Sequence, residues 1–379
     1  MDLDLAIRGG DVLTDGVFVA GAEVGIRSTA IAAVGSSLGP AAREVDASGL
    51  YVLPGFVDVH VHGAGGFSHP ADMAEWLPRT GVTAFLPTLA ASAPEETLEL
   101  VAEVAALGPE VLDRAEVLGS HLEGPFLQPE WCGAQPRQAL RKPSIEEVEQ
   151  LLAQARGTLR RMTLAPELPG AEAVCRRLAA AGVQVSLGHS SCSYAQALEA
   201  VGWGASSVTH EFNAMAPFHH REPGLVGAAL TDERLLAELI ADGVHVTPAA
   251  ALLLVRARGA AGVALITDGL PALGLPPGEY DWMGRRIATD GRVARLADGT
   301  LAGSTTSMLE AVRNLVDWGV PLAEVACMAS RTGAILAGAS QRKGLIAPGY
   351  DADLVLLDKR LELVATSCRG QLSWSAGPP

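Results

Sequence analysis

The stretch LPGFVDVHVHGAGG, Leu53 to Gly66, sets two of the chain's nine histidines one residue apart at the end of an apolar run. In an extended strand successive side chains point to opposite faces, so His60 and His62 share one face while Val59 and Val61 occupy the other. Both imidazoles then converge on one small volume. An isolated pair of this kind equally suits solvent-facing histidines on an edge strand, so its reading depends on the rest of the chain.

Seven further strand-like runs follow as far as about Gly269: VTAFLPTL, EVLGSHLEG, RMTLAPEL, VQVSLGHS, SSVTHEF, ELIADGVHV and GVALITDG. Helical segments alternate with them. Pro94 stands at a first helical position, Ser144 with Glu147 reads as a capping box, and the seventh connection, PAAALLLVRARGA, is helical throughout. Eight strands, each followed by a helix or long loop, predict an α/β fold built on a parallel (β/α)8 TIM-type barrel. Its active site is then expected at the C-terminal ends of the strands.

The flanks differ in style. Residues 3 to 50 read as short alternating segments punctuated by TDG and SSLG, which predicts a small antiparallel sheet. GLIAPGYDADLVLLDKRLELVATSCRG returns to that style near the other end. We therefore expect a small β-sandwich satellite domain formed by residues 1–50 and 344–379, with the catalytic barrel spanning 51–343. A chain of 379 residues is large enough for both.

Composition narrows the function. The chain is 49% hydrophobic with 42 glycines and 23 prolines, which suits an enzyme with many short connections. A formal charge of -15 argues against nucleic acid or an anionic membrane as partner, since both require clustered basic residues. Cys132, Cys175, Cys192, Cys327 and Cys368 form no CxxC pair and are too sparse for a disulfide framework. No basic segment leads into an apolar core at the N-terminus, and no apolar run approaches the ~18 residues of a membrane span. A soluble, cytoplasmic protein is the expectation.

The polar residues at the strand ends carry the chemistry. In chain order they are His60 and His62, Glu123, His189, His210, His245 and Asp268, and all nine histidines lie between His60 and His245. Imidazoles and a carboxylate held on rigid strands are suitable ligands for zinc, iron or a similar divalent ion. His69, His219 and His220 read as loop residues, and His121, on the face of Glu123, reads as its support. Asp before Gly often caps a loop. At the eighth strand end, Asp268 instead suits proton transfer. A divalent ion acidifies its water toward a pKa of ~7 and polarises a carbonyl, while a neighbouring carboxylate takes the proton and returns it to a leaving amine. Hydrolysis of an amide fits this arrangement.

Blocks along nearly the whole chain, among them PGFVDVHVHGAGG, HLEGPFL, SLGHS, VTHEFNAMAPFHHREPGLVGAAL, ITDGLPALG and GTLAGSTTSM, resemble the amidohydrolase superfamily and, within it, the N-acetylglucosamine-6-phosphate deacetylase family. HxH alone marks only the superfamily; HLEGP with THxxNAM and REPG is far more restrictive. The resemblance implies that Glu123, His189 and His210 bind the principal metal, with His60 and His62 available for a second, so that one or two ions are expected per subunit. It further implies a sugar phosphate as substrate, contacted by Asn213, Ala214, Arg221, His245, Leu301, Ala302 and Gly303. Arg221 would reach the phosphate from the partner subunit of a homodimer. Many superfamily members bridge two metals with a carboxylated lysine, but this chain has lysine only at 142, 343 and 359, none in a barrel strand, so Glu123 must serve instead.

One departure stands out. Where the family usually reads Gly-Ala-His, this chain has Gly133, Ala134 and Gln135. A glutamine at the substrate can donate a hydrogen bond but cannot carry a proton. The neighbouring Cys132 reads as a plain loop cysteine. Three functions compete: a deacetylase of N-acetylglucosamine 6-phosphate or of another hexosamine phosphate such as galactosamine, an amidohydrolase acting on cyclic amides or bases, and a non-catalytic barrel. The missing strand lysine disfavours the second, and the intact ligand set disfavours the third.

Overall fold

In the computed structural model, which describes residues 3–108 and 111–377, the eight runs become eight parallel strands. They are Phe56–Val61, Val82–Ala90, Ser120–Glu123, Leu159–Leu164, Gln184–Leu187, Ala205–Val208, Leu236–Ile240 and Val263–Ile266. Neighbours in sequence are neighbours in the sheet. The barrel closes where the Asp268 amide donates to the His60 carbonyl at 2.8 Å and the His62 amide to the Gly269 carbonyl at 2.7 Å. The third run is split, with a short strand Glu116–Val117 ahead of Ser120–Glu123. Gly119 turns the chain between them at φ 137°, and a Cβ there would meet the Thr158 carbonyl at 2.2 Å.

The helix starts follow local chemistry. Pro94–Ala106 begins on its proline with Glu95 and Glu96 in the first turn. Ile145–Ala155 is capped by Ser144, whose hydroxyl accepts from the Glu147 amide at 3.3 Å. The expected box is only half made: Glu147 turns instead to the Arg141 guanidinium, with Nε at 2.9 and 3.0 Å from its two oxygens. A charge-assisted pair is the stronger partner. The seventh connection forms the helix Pro248–Arg258.

Alternation along the strands divides two kinds of core. Val57 and Val59 pack with Ala334 and Leu336 from the helix Arg331–Leu336, and Met162 and Leu164 join the main apolar cluster. The alternate residues, including Asp58, His60, His121, Arg161, Thr163, Ser186, Ser207, Thr209 and Glu238, are buried in the barrel and polar. They hydrogen-bond to one another, as in Thr163–Thr209 at 2.8 Å and Ser186–Thr209 at 2.6 Å. Barrels are usually filled with branched aliphatics at this level.

Strands from both flanks form one eight-stranded sheet. It is mixed, where hairpin-like turns had suggested a purely antiparallel one. Leu3–Thr14 pairs antiparallel with Val17–Arg27 but parallel with Ala41–Asp46 and then Tyr51–Pro54, which follow one another along its edge. Leu354–Leu357 joins antiparallel to Tyr51–Pro54. A buried Lys343 fastens this sheet to the barrel, with Nζ 2.8 Å from Glu116, 2.8 Å from Asp351 and 2.6 Å from Asp353.

A second sheet, absent from the sequence reading, follows the eighth barrel strand. Gly278–Trp282, Arg285–Thr289, Val293–Leu296 and Leu301–Ser304 form four antiparallel strands. The last lies against the eighth strand end, where the Ser304 amide donates to the Asp268 carbonyl at 2.7 Å. Gly303 makes this approach feasible: at φ 47°, a Cβ would meet that same carbonyl at 2.6 Å.

Candidate metal centre

The C-terminal mouth of the barrel holds two groups of metal-competent side chains: Glu123 with His189 and His210, and His60 with His62 and Asp268. Within each, the donor atoms lie within 4.8 Å of one another. In the first, Glu123 Oε1 is 2.9 Å from His189 Nε2 and 3.0 Å from His210 Nε2, and the two imidazole nitrogens are themselves 3.0 Å apart. In the second, Asp268 Oδ1 is 3.3 Å from Nε2 of both His60 and His62. Glu123 links the groups, with Oε2 3.2 Å from His62 Nε2 and Oε1 3.5 Å from His60 Nε2.

The residues present fit a divalent cation. His60 Nε2 is buried with no hydrogen-bond partner among the described residues, and such an atom is costly unless something occupies it. Nitrogen and carboxylate donors on rigid strand ends match zinc or iron chemistry.

Backbone strain gathers at the same place. His189, His210 and Asp268 adopt left-handed φ values of 48°, 32° and 48°, unusual for residues with a side chain. Each lies just beyond its strand, where the chain turns into a loop.

The electrostatics are tightly linked. Burial pushes the His62 imidazole down, but Asp268 and Glu123 outweigh it and raise the group to about 9. Burial pushes the Glu123 carboxyl up, yet the neighbouring imidazoles of His60, His189 and His210 hold it well below the usual carboxylate range. Asp268 behaves likewise: His60 and His62 overcome its burial and keep it low. Burial is also the main cause of the lowered His210.

Above these groups opens a cavity of about 260 Å³. Of the residues expected at substrate, Ala134, Gln135, Asn213, Ala214, His245, Leu301 and Gly303 line it. Ala302 does not, being buried beneath with Leu270 and Ile287. Arg221 does not either; it is exposed, with Nη1 2.9 Å from His220 Nε2. Gln135 is engaged at both ends of its amide, accepting from the Ala91 amide at 2.9 Å and donating to Glu123. His121 supports from below, between Thr88 and Thr163. His69 caps the helix Pro70–Trp76, His219 and His220 lie on an exposed loop, and Cys132 is buried.

Sequence reasoning missed Trp282. Its ring lines the cavity and meets His62 edge-on at 5.5 Å between centroids. The Arg285 guanidinium sits 5.2 Å over that ring and donates to the Ala134 carbonyl. A turn at Met283 and Gly284, both at positive φ, pairs Trp282 with Arg285. That turn was a legible signal, but nothing local indicates which cavity the hairpin covers.

Comparison with known proteins agrees with this geometry. The amidohydrolase family matches residues 51–373. The N-acetylglucosamine-6-phosphate deacetylase of Bacillus subtilis (strain 168) is 36% identical over 384 residues, covering 98% of this chain and 97% of its own. The N-acetylgalactosamine-6-phosphate deacetylase of Escherichia coli O157:H7 is 40% identical over 335 residues, covering 85% and 87%. Among solved structures, an aspartate-to-alanine variant of the Mycobacterium smegmatis N-acetyl-D-glucosamine-6-phosphate deacetylase, in complex with N-acetyl-D-glucosamine-6-phosphate, superposes with a TM-score of 0.91. It is 35% identical and covers 98% of this chain and 99% of that one. With the barrel, its metal-competent mouth and near-full-length similarity in agreement, the chain belongs to the amidohydrolase family and groups within it with the N-acetylglucosamine-6-phosphate deacetylases.

Proposed function

We infer that this enzyme hydrolyses the acetamide of N-acetylglucosamine 6-phosphate, releasing acetate and glucosamine 6-phosphate. The observation that carries the reading is the convergence of both ligand groups and Asp268 on one cavity, in a chain similar over 98% of its length to a deacetylase of that substrate.

Glu123, His189 and His210 would hold the principal ion and His60 and His62 a second; the close approach of the donor atoms within each group supports this. Zinc or iron suits both sets. A divalent cation bound there would supply polarisation of the amide carbonyl and acidification of a water molecule. Asp268 accepts the proton as the water oxygen bonds to the acetyl carbon. It returns that proton to the amine nitrogen as the carbon–nitrogen bond breaks, so the carboxylate ends as it began. Ala134, Gln135, Asn213, Ala214, His245, Leu301 and Gly303, which line the cavity, orient the sugar. Arg221 of the partner subunit binds the phosphate in a homodimer; its exposure outside its own cavity supports that arrangement.

Five free cysteines support a reducing, cytoplasmic setting, and no helix among the described residues is long and apolar enough to cross a membrane. The similarity to a galactosamine deacetylase favours a second reading, in which the galacto epimer is preferred. Assaying the purified, metal-analysed enzyme on a panel of N-acetylhexosamine 6-phosphates decides between them. The gluco substrate should give the highest kcat/KM; a galacto preference would select the second reading, and no acetate release from any member would end both.

A further inference from the structure

A buried ion pair lies beneath the two ligand groups. Arg161, on Leu159–Leu164, and Glu238, on Leu236–Ile240, are fully buried and bonded to each other. The guanidinium also donates to Ser186 Oγ at 2.7 Å and Ser207 Oγ at 3.2 Å, which fixes it from the next two strands of the barrel. Glu238 Oε2 accepts from the His210 backbone amide at 2.9 Å and lies 3.1 Å from His60 Nδ1. One carboxylate oxygen therefore touches a member of each ligand group.

A carboxylate paired with a guanidinium is an acceptor, so its contact with His60 requires the proton on Nδ1. The Nε2 lone pair is then left facing Asp268 and Glu123, where that atom is buried and unpartnered. The contact with the His210 amide holds the strained turn that aims the second imidazole. Stability alone does not account for such a pair, because replacing a buried ion pair with apolar residues of similar volume is often neutral. Partners that orient metal-binding histidines, by contrast, typically contribute 10- to 100-fold to metal affinity.

We propose that Glu238, anchored by Arg161, is a positioning residue that sets the Nδ1–H tautomer of His60 and the placement of His210, and so tunes metal affinity from below the site. The inference rests on the metal reading given above.

Two variants test it. Glu238→Asp keeps the charge but withdraws the oxygen by one methylene, and the double variant R161M/E238L removes the pair without leaving a lone buried charge. Zinc affinity is measured by competition with a chelator, alongside thermal unfolding of the metal-free proteins. Zinc affinity should fall 10- to 100-fold in Glu238→Asp and in the double variant, while metal-free unfolding stays within a few degrees of wild type in at least one of them. Wild-type zinc affinity in either folded variant would overturn the proposal, as would affinity losses accompanied by comparable destabilisation of both metal-free proteins. Should the double variant fail to fold, Glu238→Asp alone decides on the same two measurements. A wild-type protein that binds no zinc or iron would instead sink the metal reading itself, so the two failures are distinguishable.

Discussion

Asp268 Oδ1 lies 3.3 Å from His62 Nε2, and the same oxygen stands 3.3 Å from His60 Nε2. The carboxylate is thus both the expected proton carrier and a neighbour of one ligand group. Asp268→Asn separates the roles, because the amide keeps the shape but cannot accept the proton. It should lower kcat by at least ~10²-fold with bound metal nearly unchanged. Loss of metal from the variant, read by elemental analysis, would make Asp268 chiefly a ligand.

Among the described residues, Glu123 is the only carboxylate touching imidazoles of both groups. Glu123→Ala should abolish deacetylation and reduce metal content together, as should chelation of the wild-type enzyme. Full activity in a preparation free of metal would falsify the metal-dependent mechanism.

The Arg221 prediction turns on the phosphate. A guanidinium paired with a phosphate dianion contributing ~2 to 3 kcal/mol implies a loss of roughly 30- to 150-fold in kcat/KM for Arg221→Ala on the 6-phosphate, and far less on unphosphorylated N-acetylglucosamine. Because the proposed contact crosses a dimer interface, mixing Arg221→Ala with Asp268→Asn subunits should restore activity in one site per mixed dimer. No recovery after verified subunit exchange would place the arginine's action within its own subunit.

Acid stability should report on the cluster that joins the terminal sheet to the barrel. Burial pushes the Glu116 carboxyl up, but Arg342 and Lys343 outweigh it and hold the group at about 2. A depressed carboxylate stabilises the fold fully above its unfolded value of ~4.3, and this contribution disappears as pH falls toward 2. In metal-free protein, Glu116→Gln should therefore lower the unfolding midpoint at pH 7 and lose much of that deficit between pH 4 and pH 2. A deficit constant across that window would remove Glu116 from the acid response.

Periodicity was enough to locate the eight strands and to set His60 and His62 on one face, since alternation is a local property of extended chain. The strand-end positions drew attention to His60, His62, Glu123, His189, His210 and Asp268, but also to His245, which lies outside both groups, and the ligand roles came only from the family resemblance. Local pattern could not distinguish the adjacent Arg160 and Arg161, one exposed and the other buried against Glu238, because partners 77 residues apart meet only when the barrel closes. The same holds for Trp282, whose hairpin is locally ordinary and becomes a wall of the cavity only by docking on the eighth strand end. Strand period and ligand type are written in neighbouring residues. Burial, the pairing of Arg161 with Glu238 and the strained turns at His189, His210 and Asp268 depend on contacts between distant segments, and closure of the barrel decided them.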